Sequence, residues 1–228
     1  MKTLDPTRTI ARIVLDHPST ARVFQERGID FCCRGNVTLA AICTEKGLDP
    51  ERIAAELEQE IASRSGDAGE PDPRELPTQA LTARIVDRHH AYLRKALPWL
   101  VPLATKVARV HGEKEERLVE VRDLVAELAE LLLPHLDEEE QVLFPALGSE
   151  KPDPALVRSE LEAMVREHLE VGERLARLRE ITDDFTPPRW GCSSYRTLFA
   201  DLRDLEGDVL RHVHLENHVL MPRFAEAS

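Results

Sequence analysis

HLDEEEQVLFP, residues 135–145, and HVHLENHVLMP, residues 212–222, decide the reading of this chain. Each has a His, a Glu four positions on, and a short apolar run that ends in Pro. On a helix, residues four apart lie on one face, one turn apart. His135 therefore points with Glu139, and His212 with Glu216. The Glu139 stripe also carries Leu128, Leu132, Leu136 and Val142; the Glu216 stripe carries Leu205, Val209, Val213 and Val219 or Leu220. Such faces enter a core. A buried carboxylate is costly unless it is paired or bound to a metal, and two facing one core repel. Neither stripe supplies a Lys or Arg. A cation removes the difficulty, and imidazole with carboxylate suits iron, manganese or zinc.

The repeat extends upstream. His90 lies 45 residues before His135, and His168 lies 44 before His212. Each half reads as a helical hairpin, with one His on its first helix and His-x3-Glu on its second. Two such hairpins about a pseudo-twofold axis bring His90, His135, His168, His212, Glu139 and Glu216 to one centre. That set can hold two metals, two His on each and both carboxylates bridging, with bound hydroxide or oxide completing the bridge. His89 is adjacent to His90 and points about 100° away. His90 shares a stripe with Val86, Leu93 and Leu97, and His89 with Ile85, Leu93 and Ala96. The matched spacing favours His90. His89 and Glu167 stay candidates to bond a ligand from outside. The spacing differs from the Glu-x-x-His of ferritin-like bundles.

The rest of the chain fits a helical frame. Apolar residues are 42%, aromatics 4% and charged residues 32% of 228 positions, a balance that favours long helices packed on Leu, Val and Ala. Residues 63–78, SRSGDAGEPDPRELPT, read as a linker. Before it, residues 1–62 form a small domain of short helices. Ser19 and Asp49 are read as helix caps there, and Gly28 and Gly47 as stops. After it, residues 79–228 form an antiparallel bundle of four helices, so the fold class is all-α. The first of the four is expected over Thr78–His111, bent at Pro98 and Pro102, and the second over Lys114–Phe144, kinked at Pro134. The third opens at an Asp153 cap with Pro154 in its first turn, and the fourth runs from near Ser193 to Leu220. The net charge of −12 argues against nucleic acid. No run reaches a membrane span, and no secretory apolar region opens the chain. These points indicate a soluble cytoplasmic protein.

The adjacent Cys32 and Cys33 are poorly spaced for structural zinc. They are candidates for redox chemistry or iron binding, beside Arg34, which would lower a thiol pKa. Cys43 reads as core, and Cys192 as a loop thiol with no identified partner. His214, His218, Glu138 and Glu140 read as surface, and His111 as a helix-end residue. Tyr92 and Tyr195 are open candidates for a place near the site.

The motifs resemble those of a known family. GIDFCCRGNVTLAAIC (28–43), TKVARVHG (105–112) and the two ligand helices are similar to the Repair of Iron Centers proteins, which join a small cysteine domain to a hemerythrin-like bundle. The resemblance implies a non-haem di-iron centre, oxo- or hydroxo-bridged. His90, His135, His168 and His212 match its terminal ligands and Glu139 and Glu216 its bridging ones; the family's H-x2-LR-x2-LP pattern selects His90. It also implies repair of iron–sulfur clusters damaged by nitric oxide or oxidative stress. The partners would be proteins with damaged clusters, and nitric oxide or oxygen as small ligands. The chain would supply iron, and nitric oxide reduction at the centre is a further implied activity. In a derived hypothesis, the cysteine loop docks on the bundle and supplies electrons. Other readings are an oxygen or nitric oxide binding or sensing module, and a structural zinc or manganese bundle.

Overall fold

The computed structural model describes residues 4–64 and 71–224. The stretch 65–70 of the expected linker therefore lies outside the described residues. Contacts divide the chain into two compact units: Met1–Leu76 with Leu210–Arg223, and Pro77–Val209 with Phe224–Ser228.

The first unit holds α1 (Ile10–Asp16), α2 (Thr20–Glu26), α3 (Leu39–Lys46) and α4 (Pro50–Ser63). Side chains set the helix starts. Thr9 accepts from the Arg12 amide, Thr38 from Ala41 and Asp49 from Glu51, each satisfying a backbone donor left over by the first turn. Ser19 differs from expectation. Its backbone is already helical, at φ −62, and its side chain makes no capping bond. The hydroxyl of Thr20 instead donates to the His17 carbonyl at 2.6 Å. Gly28 and Gly47 end their helices with φ of 58 and 63, a region that costs glycine little. A single antiparallel bridge ties Thr9 to Thr38. The core is Ile10, Ile13, Phe24, Ile29, Phe31, Leu39, Ile42, Cys43, Ile53 and Leu57, so Cys43 packs as expected. Beyond the undescribed stretch, Arg74 returns to α1 and bonds Asp16 at 2.6 Å. Arg223 bonds the Leu76 carbonyl at 2.8 Å.

The second unit is a four-helix bundle. Its first helix is α5 (Thr78–Ile85) and α6 (Ala91–His111), separated by a π turn over Val86–His90. The interruption thus falls at the two histidines, and α6 runs unbroken through Pro98 and Pro102. Next come α7 (Arg117–Glu138), a π turn over Glu139–Leu143 and the short α8 (Phe144–Leu147). The helix continues through Pro134. Then follow α9 (Pro154–Ile181), capped by Asp153, and α10 (Ser193–Leu215), whose last residues belong to the first unit. A third π turn, Glu216–Leu220, follows α10. α7 packs between α6 and α9, and Leu93, Leu97, Leu100, Val125, Leu128, Leu132, Leu175, Leu198 and Leu205 fill the bundle. No described helix is long and apolar enough to cross a membrane.

The α9–α10 connection is strained. Asp183, Asp184 and Phe185 all have positive φ, near 50 to 56, at a cost of about 1–2 kcal/mol each. Arginines hold it in place: Arg203 donates to the carbonyls of Asp184 and Phe185, and Arg179 bonds Asp184, the buried Glu206 and the Phe185 ring face.

Two outcomes are expected. Replacing Arg179 with Met leaves Glu206, 4% exposed, without its guanidinium and lowers unfolding free energy by about 3 kcal/mol in a denaturant titration; a loss below 1 kcal/mol, roughly the worth of a surface pair, would contradict this. A Cβ on Gly35 would lie 2.4 Å from His218 Nε2 and 2.5 Å from the Phe31 carbonyl oxygen. Gly35→Ala is therefore expected to destabilise by about 1–3 kcal/mol, read as a drop in Tm.

Candidate metal centre

Three of the six expected ligands sit beside a π turn. Val86–His90 ends on His90, Glu139–Leu143 starts on Glu139, and Glu216–Leu220 starts on Glu216. In each, the backbone N–H just after the turn bonds five residues back: Ala91 to Val86, Phe144 to Glu139 and Met221 to Glu216. Pro145 and Pro222 supply a local cause for two of them. A proline has no N–H to give and its ring crowds the carbonyl four residues earlier, which favours a widened turn there. Such widened turns recur at functional sites.

Within the bundle unit, His90, His135, Glu139 and His168 are all buried. Glu139 lies between two imidazoles. Its Oε2 is 3.3 Å from His90 Nε2, and its Oε1 is 3.4 Å from His135 Nε2. The His168 ring lies edge-on to that of His135, with centroids 5.1 Å apart. Donor atoms of His135, Glu139 and His168 fall within 4.8 Å of one another. The His–Glu separations exceed the usual 2.7–3.2 Å or so of an N–H···O bond. They match two donors sharing one cation, each about 2.1 Å from it. The residues therefore fit a metal on the chemistry of the donor set.

The opposite edge of each imidazole is anchored. His90 Nδ1 is 2.9 Å from Glu140 Oε1, and His135 Nδ1 is 2.6 Å from Glu167 Oε2. When Nδ1–H donates to a carboxylate, Nε2 keeps its lone pair for a metal. The hydrogen bond with His135 holds the Glu167 carboxyl below the ordinary range. Glu140 corrects the reading of a solvated side chain: it is half-buried and bonds both His90 and Arg94. Phe144 stacks on the His90 ring, 5.8 Å between centroids. His89 is also buried, but its Nδ1 faces Asp208 at 3.0 Å.

In the first unit, His212 and Glu216 are fully buried, with Nε2 2.8 Å from Oε1. The same segment carries His214 and His218, expected at the surface and found gripping the cysteine loop. His214 Nδ1 is 3.1 Å from the Phe31 carbonyl, and His218 Nε2 is 2.7 Å from that of Cys32. Burial, then His218, push the His214 pKa down to about 3, so it is neutral. Their spacing of four was visible; their partners, more than 180 positions away, were not.

Arg34 does not serve the thiols. It makes two 2.6 Å bonds to Glu45. Cys32 is buried and faces Asp30, and burial, then Cys33 and Asp30, push its thiol well up. These causes run opposite to the lowered thiol pKa expected from Arg34. Cys192, expected without a partner, has His111 Nε2 at 3.2 Å. Tyr195 packs on His111, Trp190 and Phe199.

Comparison with known proteins adds the family. Residues 81–224 match the hemerythrin HHE cation binding domain, and residues 6–61 match the ScdA N-terminal model, described as a domain of unknown function. The iron-sulfur cluster repair protein ScdA of Staphylococcus haemolyticus is 33% identical over 95% of this chain and 97% of its own. This chain belongs to the ScdA and YtfE family. Two further members are named iron-sulfur cluster repair protein YtfE. That of Yersinia pseudotuberculosis is 33% identical over 95% of this chain and 96% of its own. That of Pectobacterium atrosepticum is 31% identical over the same shares. A cation-binding family and these buried His and Glu clusters together indicate a metal site.

The outer carboxylates matter for it. Glu140→Ala removes the acceptor that orients His90, and metal affinity is expected to fall about 10–100-fold, measured by competition with a chromophoric chelator. Unchanged affinity would contradict the anchoring role.

Proposed function

We propose that this chain holds two iron ions and serves the repair of damaged iron–sulfur clusters. The observation that carries this reading is Glu139, whose two carboxylate oxygens each face the Nε2 of a different histidine. A carboxylate so placed is shaped to bridge two cations. The sequence repeat supplies a counterpart in Glu216, with His212 beside it. We assign His90, His135, His168 and His212 as terminal ligands and Glu139 and Glu216 as bridges.

The donor chemistry supports iron over magnesium or calcium, which prefer all-oxygen shells. Bound iron supplies ligand exchange and one-electron chemistry. The protein's part is to hold and release it. Six protein donors would not complete the shells of two bound ions, which would leave positions for small ligands such as nitric oxide or oxygen and would make the iron exchangeable. Glu140 and Glu167 keep the two imidazoles oriented. The buried walls, Leu93, Leu97, Leu128, Leu132 and Leu136, limit water at the centre. Relatives that match almost the full length are named for cluster repair, which makes iron supply to proteins with damaged clusters the function of choice. Adjacent thiols not joined in a disulfide suit a reducing compartment such as the cytoplasm.

The test is a repair assay. An iron–sulfur enzyme inactivated by peroxide or nitric oxide is incubated anaerobically with iron-loaded protein, and its recovered activity is measured. The wild type is expected to restore activity, and Glu139→Ala/Glu216→Ala to bind less iron and restore none. Equal recovery with the variant would overturn the assignment.

A further inference from the structure

Asp30, Cys32 and Cys33 form a second cluster of donors, and it uses none of the six residues assigned above. One donor atom of each lies within 4.8 Å of the others. Cys32 Sγ is 3.1 Å from Asp30 Oδ1 and 3.6 Å from Cys33 Sγ. The thiols are not joined in a disulfide. Two thiolates that each bind one cation at about 2.3 Å lie about 3.8 Å apart at a tetrahedral angle, close to the separation seen.

The loop is fixed in this form by other contacts. Asp30 Oδ1 accepts the amides of Cys32 and Cys33, both at 2.9 Å. The Cys32 carbonyl accepts from Asn217 at 3.3 Å and faces His218 Nε2 at 2.7 Å. The close approach of Gly35 to His218, which a Cβ would block, locks the loop's far end. Arg34, the cation of this loop, is engaged with Glu45. A preformed donor set loses little ordering entropy on binding.

We propose that Asp30, Cys32 and Cys33 bind one divalent transition-metal cation of the zinc or ferrous iron kind. Two thiolates and a carboxylate select a borderline-soft ion and discriminate against magnesium and calcium. Three protein donors leave one tetrahedral position open for water or an incoming ligand. On binding, two S–H bonds are exchanged for two sulfur–metal bonds and two protons leave. Metal binding is thus coupled to release of both thiol protons. Affinity therefore rises with pH. This assigns the pair to metal binding rather than to electron supply. It goes beyond the bundle's function and does not depend on it.

Cobalt(II) is the probe. Iron-loaded full chain with reduced thiols is titrated anaerobically, and the difference spectrum is read for sulfur-to-cobalt charge transfer. Only thiolate ligands give that absorption; His and Glu give none, so failure of the bundle to load iron would count against the previous reading and not this one. The expected band saturates at a single cobalt per chain, persists in Cys43→Ser and Cys192→Ser, and is absent from Cys32→Ser/Cys33→Ser. Asp30→Asn keeps an oxygen for the two amides and is expected to weaken cobalt binding at least about tenfold. If the double variant fails to fold, Cys33→Ser alone decides, with a weaker band from the remaining sulfur. No band in the wild type, a band that survives loss of both cysteines, or affinity unmoved by Asp30→Asn would overturn the proposal.

Discussion

Glu139 and Glu216 are carboxyl side chains at 2% and 0% exposure, and the cost of burying them organises what surrounds them. An ionised carboxylate in an apolar core loses several kcal/mol of hydration that only an opposite charge or strong donors return. The chain places imidazole nitrogens beside both. A neutral imidazole alone offers one donor, which is a modest return. A divalent cation shared by imidazole and carboxylate offers far more, and the 3.3–3.4 Å spacings around Glu139 are those of co-ligands. The helices, their leucine faces and their outer carboxylates can all be understood as support for this arrangement.

The backbone takes part as well. An α-helix presents side chains at fixed 100° steps, and a ligand set rarely matches those steps everywhere. The three π turns at His90, Glu139 and Glu216 change the phase of the helix where a donor is needed. Pro145 and Pro222 favour two of these changes. The same logic of rigid placement recurs in the strained 183–185 turn, where arginines hold three residues at positive φ, and in the cysteine loop, where an aspartate and two histidines fix the backbone.

Much of this was legible in the residues. The repeated His-x3-Glu, the upstream histidines and their apolar stripes sufficed for the bundle and for the burial of these His and Glu side chains, because helical periodicity converts spacing directly into direction. The caps at Asp49 and Asp153 were legible for the same local reason. Features that depend on distant partners were not. Ser19 makes no capping bond, and the Thr20 hydroxyl beside it donates to the His17 carbonyl. Arg34 turned to Glu45 rather than to the thiols. His214 and His218 looked like a surface pair until the cysteine loop was seen against them, and Glu140 looked solvated until His90 and Arg94 reached it. A carboxylate's role depends on who meets it, and periodicity says nothing about partners remote in the chain.

In the proposed centre, one buried carboxylate pair joins two irons. A Mössbauer spectrum of the anaerobically iron-loaded protein, taken with its iron content, tests it most directly. Two irons per chain, with magnetic moments coupled to each other, are expected. A single iron per chain, or two irons that behave as independent paramagnets, would contradict it.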